Sequence, residues 1–406
     1  MIKKNPLAIF NFSTFLQTQI LMLPVMLLFY KENGLTAGDL FLFQGIFSIS
    51  ALLFEIPAGY IGDIFPRRNV LIFSYFLFLV RLILWYFFKG YWIVLIGEIL
   101  YSMSKAFYSG VADGFIYDYL KSQNKTKKML SRYGRLNFFM SLGTALASLI
   151  GPFLYEKYGF TVLIVIEIIL NTISILLLFL LPEVKPVREN IKGVTARINE
   201  LLCITKNTLS NPNLWPYIFY SGTIAATTMV FVWSFQPLMT VAHIPVLLFG
   251  VIYCVNHAIR GLAGLMLNFT LKTFSLNKIA KITYVLYILS FISALIIIFT
   301  KNPYIGCVLL CFICITIGFQ LTFTLGSIAR LHTFVPSSVR STSSSANNLI
   351  SRFLAGVMLI LFKVVLDGIS LEWSFIVYLL LFLSSYVFLR KLLTLSEKPP
   401  YASDEA

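Results

Sequence analysis

The sequence predicts an all-α membrane protein: twelve transmembrane helices arranged as two six-helix bundles. Three observations predict it. Of 406 residues, 58% are hydrophobic and only 12% charged, far from the roughly 25% charged of soluble proteins, and the mean hydropathy is +0.84. Apolar runs of about twenty residues, the length that crosses ~30 Å of hydrocarbon, recur twelve times. The cations are distributed unevenly. Of 32 Lys and Arg, Lys31, Lys89, Lys157 and Lys301 fall in loops on one side, Arg81, Lys105, Arg260, Arg352 and Lys363 fall within spans, and the other 23 lie on the opposite side. That asymmetry is the positive-inside rule and accounts for the net charge of +15 without a nucleic-acid partner.

The spans fall near 8–30, 39–62, 69–88, 91–116, 136–155, 160–181, 214–236, 247–268, 280–300, 304–329, 341–365 and 372–389. The first follows Lys3 and Lys4, lacks a cleavage signal and is too long for a signal peptide. An even number of spans returns Arg390 and Lys391 to the side of Lys3, so both termini are expected in the cytoplasm. The longest polar stretch falls halfway along the chain. Within it Ile191, Val194, Ile198, Leu201 and Leu202 recur at helical spacing among cations, the pattern of an amphipathic helix on the membrane surface. The expected organisation is a first bundle over 1–182, a linker over 183–213, a second bundle over 214–390 and a tail over 391–406.

Between spans two and three runs Gly59-Tyr60-Ile61-Gly62-Asp63-Ile64-Phe65-Pro66-Arg67-Arg68, a tight charged hairpin. Its Gly59, Asp63, Arg67 and Arg68 resemble the loop motif between helices two and three of the major facilitator superfamily, with Pro66 where the family has glycine. A weaker echo follows span eight, with Gly264, Asn268 and Lys272 standing where Gly59, Asp63 and Arg67 stand in the first half. Gly143 and Gly151-Pro152 in span five resemble part of the motif of the family's antiporters, which implies export. Pro182-Glu183, Trp233 to Pro237 and Pro336 to Arg340 resemble further landmarks. The resemblance implies that Asp118 pairs with the hairpin arginines and that the hairpin controls a conformational change.

No enzyme constellation is present. The three histidines have no metal spacing, and there is neither a Gly-rich phosphate loop nor a nucleophile elbow, so no cofactor or metal is expected. The five cysteines form no even framework, and Cys307, Cys311 and Cys314 read as small residues of one helix. What stands out is ionisable residues at membrane depth, each costing about 2.5–3.5 kcal/mol on insertion scales. The carboxylates Glu55, Glu98, Asp113 and Glu167 lie in the first half, and the second half's spans carry His257, Arg260, Arg352 and Lys363.

In span four, Glu98, Tyr101, Ser102, Lys105 and Tyr108 share one face. The family resemblance implies that spans one, four, seven and ten line a substrate cavity, which adds Asn11, Thr14 and Gln17, Tyr220, Thr223 and Thr227, and Thr316 and Gln320. The alternative is that Glu98 and Lys105 pair within the bundle. Glu55, Glu98 and His257 are candidates for carrying a coupling proton, with Arg81 or Arg352 as alternative permanent partners of Glu55.

The expected function is secondary active transport in a bacterial inner membrane by a monomer with a small-molecule substrate, a coupling ion and the lipid bilayer as its partners. Proton-coupled export comes first. Uptake of a small, anionic nutrient is the second expectation, and a lipid-handling or sensor protein of transporter-like build without ion coupling is the third.

Overall fold

The structure is a computed structural model, described here for residues 6–123, 125, 129–183, 215–333 and 340–394. The amphipathic linker helix and Lys192 lie outside the described residues, as do most of the Pro336 to Arg340 landmark and the end of the tail. Among the described residues there is no strand.

Among the described residues, nine helices are long and apolar enough to cross a membrane. One of them, Gly134–Leu178, covers 45 residues and turns sharply at Gly159, whose φ of 73° is open to glycine, so it supplies two spans. The first apolar run and Tyr91–Ser122, a helix diluted by polar as well as charged residues, complete twelve.

Span one is not the continuous helix expected over 8–30. It is split into α1 (Pro6–Gln17), a single 3₁₀ turn at Leu23–Val25, and α2 (Met26–Glu32). Two local causes are on the page. The Thr18 hydroxyl donates to the carbonyls of Thr14 and Phe15 at 3.0 Å each, a back-bond that bends helices. Pro24 disfavours helical geometry at Leu23 and has no N–H to give.

Helix α3 (Ala37–Ile64) opens on a reciprocal cap, in which Thr36 and Asp39 satisfy each other's backbone amides. It ends at extended Phe65, and Pro66 then sets the backbone for α4 (Arg67–Phe87). Helix α5 (Tyr91–Ser122) starts from Gly90 at φ 107°. Helix α6 (Met129–Leu178) begins seven residues before the expected 136, which brings Arg132 and Arg135 into the helix. In the second half run α7 (Trp215–Val241), α8 (Val246–Leu265), the short α9 (Leu267–Thr273), α10 (Leu276–Thr300), α11 (Pro303–Thr333), α12 (Arg340–Gly368), α13 (Leu371–Ser384) and α14 (Tyr386–Thr394).

The described residues fall within two compact units, Met1–Arg197 with Pro245–His257 and Ile198–Ile244 with Ala258–Ala406. In the first, α5 packs on α3 and α4, and α1 packs on α6, with Phe10 against Phe115 at 5.1 Å. The first part of α8 belongs to this unit because Gly250 brings its backbone onto Ser148; a Cβ there would lie 2.2 Å from the Ser148 carbonyl oxygen. In the second, α7 packs on α11 and α12, and a separate aromatic cluster joins Phe231 of α7 to Tyr287 and Phe291 of α10 and to Phe375 and Phe382 of α13.

Candidate functional site

Four residues flanking the turn between α3 and α4, Gly59, Asp63, Arg67 and Arg68, begin the site. Asp63 ends one helix and Arg67 begins the next, four positions apart. The Arg67 guanidinium donates to the Gly62 carbonyl at 2.7 Å and to Asp118 on α5 at 3.0 Å, with Asp63 at 3.6 Å. The cluster is buried, with Arg67 only 7% exposed, so its charges are little screened. Gly114 makes room for it, since a Cβ there would sit 2.9 Å from the guanidinium carbon. Gly59 lies where α3 meets α5 beside Gly110. Arg68 turns the other way, donating to the Leu181 carbonyl at 3.3 Å and to Glu183 at 3.0 Å. Asn268, the counterpart of Asp63 in the second half, has a side chain outside the described residues, and Gly264 has open space around it.

Arg67 thus holds two acids, and the Asp118 bond is the shorter. Asp63→Asn is expected to leave the Arg67–Asp118 bond in place and slow transport several-fold while equilibrium substrate affinity stays within a few fold. Transport rate measured beside binding in the purified protein checks this, and loss of binding by a folded variant would make Asp63 a substrate contact.

The stripe on α5 divides. Glu98, 1% exposed, accepts from Arg81 at 3.1 Å and from Gln44 at 3.3 Å. Arg81 lies over the rings of Trp85 and Tyr101, 3.9 and 4.4 Å from their centroids, a favourable seat for a desolvated cation. Gly97 allows that seat, because a Cβ there would strike the Trp85 indole at 2.1 Å. Lys105 does not join this pair. Its ammonium sits 5.2 Å from the Tyr101 ring. Tyr108 and Thr14 do meet, their hydroxyls 3.4 Å apart, with Tyr75 also 3.3 Å from Thr14.

Asn11 and Gln17 are buried on α1. In the second unit Tyr220 donates to the Ala280 carbonyl at 2.8 Å, and Thr223 and Thr227 donate to their own helix. Thr316 accepts from Ser290 at 2.9 Å, and Gln320 donates to Thr324 at 2.8 Å. Glu55 and His257 are half-buried.

One group escaped the sequence-based site. Glu167, buried on the second half of α6, accepts from the backbone N–H of Met22 at 2.9 Å, satisfying an amide that the break in span one leaves without a helical partner. Asn171 donates to the Tyr75 carbonyl at 3.0 Å, and the Ser13 hydroxyl donates to the Ser174 carbonyl at 3.0 Å. Glu167, Asn171 and Ser174 stand at i, i+4 and i+7, a polar stripe that periodicity could have revealed. The broken segment is also gripped from the first half of α6. A Cβ on Gly143 would lie 2.4 Å from the Thr18 hydroxyl and 2.8 Å from the Phe15 carbonyl oxygen, and one on Gly151 would lie 2.0 Å from the Leu21 carbonyl oxygen.

The sequence profile of the Major Facilitator Superfamily matches residues 7–360. An uncharacterized transporter of Buchnera aphidicola subsp. Acyrthosiphon pisum is 26% identical over 129 residues, 31% of this chain and 32% of the relative. Another, from Buchnera aphidicola subsp. Schizaphis graminum, is 27% identical over 150 residues, 36% and 37% of the two chains. The chain therefore spans about a third of the length of these curated relatives. Among solved structures, a mutant of the nucleoside transporter NupG superposes with a TM-score of 0.81 at 14% identity, covering 95% of this chain and 100% of that one. A bacterial homologue of the human lysosomal transporter Spinster gives 0.72 at 13% identity, covering 98% and 99%. At such identities the likeness is one of fold. With the profile matching most of the chain, and the hairpin and twelve spans in place, the chain belongs to the major facilitator superfamily and is a multi-pass membrane transporter, not an enzyme.

Proposed function

We propose that this transporter exports a small organic molecule across a bacterial inner membrane by alternating access, in exchange for protons, as a monomer. The observation that carries it is the broken first span, gripped by Gly143 and Gly151 and capped by Glu167. Interrupted helices at membrane depth present free backbone polar groups where transporters bind substrate and ions. A carboxylate at that place costs far more charged than neutral once water is excluded, so a change in water access moves protons.

Glu98 has its charge compensated by Arg81, whereas Glu167 is met by a backbone amide. Glu167 therefore joins Glu55, Glu98 and His257 as a candidate coupling group, and stands ahead of Glu98.

The test uses inside-out vesicles energised to acidify their lumen, with an acridine-orange signal reporting the gradient. A panel of drugs and metabolites, nucleosides included because one structural neighbour is a nucleoside transporter, is added one compound at a time. At least one chemical class is expected to discharge the gradient with the wild type, and the response is expected to vanish in Glu55→Gln or Glu167→Gln. A response that survives in both variants removes the coupling assignment. Accumulation of the same compound by intact cells would replace export by uptake, and the cations within the spans would then favour an anionic nutrient.

A further inference from the structure

We infer that a cavity between α1 and the start of α6 is a binding site for a small organic anion, a carboxylate or phosphate joined to an apolar, ring-sized body. The inference rests on the transporter reading above and names the charge of its substrate. The cavity has a volume of about 440 Å³ and is lined by Ala8 and Asn11 from α1 and by Arg132, Arg135, Phe138 and Phe139 from α6. That volume lies in the range of small-molecule sites, roughly 300–1,000 Å³.

Three of the lining residues, Arg132, Arg135 and Phe139, stand at i, i+3 and i+7 and so share one face of α6. Two guanidiniums three positions apart on a helix repel each other. Among the described residues neither has a carboxylate within ion-pair distance, and no acid lines the cavity. A bound anion removes this repulsion. The planar fork of arginine matches a carboxylate or phosphate edge to edge, which lysine does not.

The aromatic part of the lining sets what the anion is attached to. Phe138 and Phe139 lie edge to face at 5.8 Å, and Phe139 meets Phe15 on α1 at 6.4 Å. These rings accept an apolar or aromatic body. Asn11, buried on α1, adds an amide that can give or accept one hydrogen bond. A neutral ligand would leave the guanidiniums uncompensated, and an inorganic ion would leave the aromatic wall unused.

The same chemistry describes a soluble metabolite and an anionic lipid headgroup, so the test has two arms. Thermal unfolding of the purified protein in nanodiscs of phosphatidylcholine alone is followed with phenyl phosphate, phenylacetate and the neutral benzyl alcohol as probes. In parallel, phosphatidylglycerol is added to the nanodiscs with no soluble probe. The wild type is expected to be stabilised in saturable fashion by the aromatic anions and not by benzyl alcohol. Arg132→Gln and Arg135→Gln are each expected to weaken that binding by about tenfold or more, the scale of a lost charge-assisted pair. Arg132→Lys should recover part of it. Equal unfolding temperatures of wild type and variants without probe confirm that the fold is intact.

Stabilisation by phosphatidylglycerol alone, lost in the same variants, keeps the anion site and assigns it to lipid. Equal response to benzyl alcohol and phenyl phosphate, or an unchanged response in the double variant, overturns the site. Because binding is read without transport, failure here leaves the export test standing, and failure of that test leaves this binding result intact.

Discussion

Arg81→Met is expected to destabilise the protein by about 3–5 kcal/mol, enough to lower its yield from the membrane sharply and to abolish transport. The substitution keeps most of the side-chain volume and the contact with Trp85 but leaves Glu98 buried beside neutral Gln44 and without its cation. The cost therefore comes from an uncompensated charge, not from lost packing. The double variant Arg81→Met/Glu98→Gln is expected to recover most of that stability, because two neutral groups need no compensation. Thermal unfolding followed by size-exclusion chromatography compares the set. If the double variant is no more stable than the single one, packing of Arg81 between the Trp85 and Tyr101 rings, rather than its charge, is what the bundle needs.

Gly151→Ala, a single added methyl group, is expected to remove transport almost completely. Its Cβ would lie 2.0 Å from the Leu21 carbonyl oxygen and 2.9 Å from the Leu21 carbonyl carbon, both backbone atoms. No side chain can rotate away to relieve the clash, so the fifth and first spans must separate and the amides of the break lose their neighbours. Overpacking of this kind costs typically 1–3 kcal/mol even where side chains can adjust. Gly264→Ala is the matched control, since nothing lies within 4 Å of its Cβ and replacing a helical glycine by alanine is mildly favourable. Transport by Gly264→Ala at the wild-type level, beside an inactive Gly151→Ala of normal abundance, is the expected pair of results. An active Gly151→Ala would mean that the two spans are not held together during the cycle.

The hairpin was legible because its residues are neighbours in sequence: Asp63 and Arg67 lie one turn apart, and their meeting needs no knowledge of the rest of the chain. Asp118 could be assigned only through family likeness, since it comes from another helix. Glu98 shows the limit of periodicity. Spacing says which residues of α5 share a face but not how that face is turned toward its neighbours, so Lys105 was the visible companion and Arg81 the actual one. The break in span one was hidden for a different reason. Hydropathy averaged over a span responds to apolarity and not to backbone geometry, and the polar triplet Gln17-Thr18-Gln19 and Pro24, where the chain bends, are outweighed by the apolar residues on either side. Arg132 and Arg135 were lost to a boundary, because two cations at the start of a span look like loop charges until the helix is found to begin at Met129.

The grip of Arg68 on the end of α6 has a mechanical side. Leu181 and Glu183 are the last rungs before the chain leaves the first bundle, and Arg68 adjoins the arginine that holds Asp63 and Asp118. Any displacement of Glu183 is therefore delivered one residue away from the buried charge cluster. The clasp is light, because Glu183 is about half exposed at 49% and an ion pair in water contributes roughly 0–1 kcal/mol. A disturbance comparable to thermal energy opens it, which makes the junction a compliant lever rather than a rigid strut.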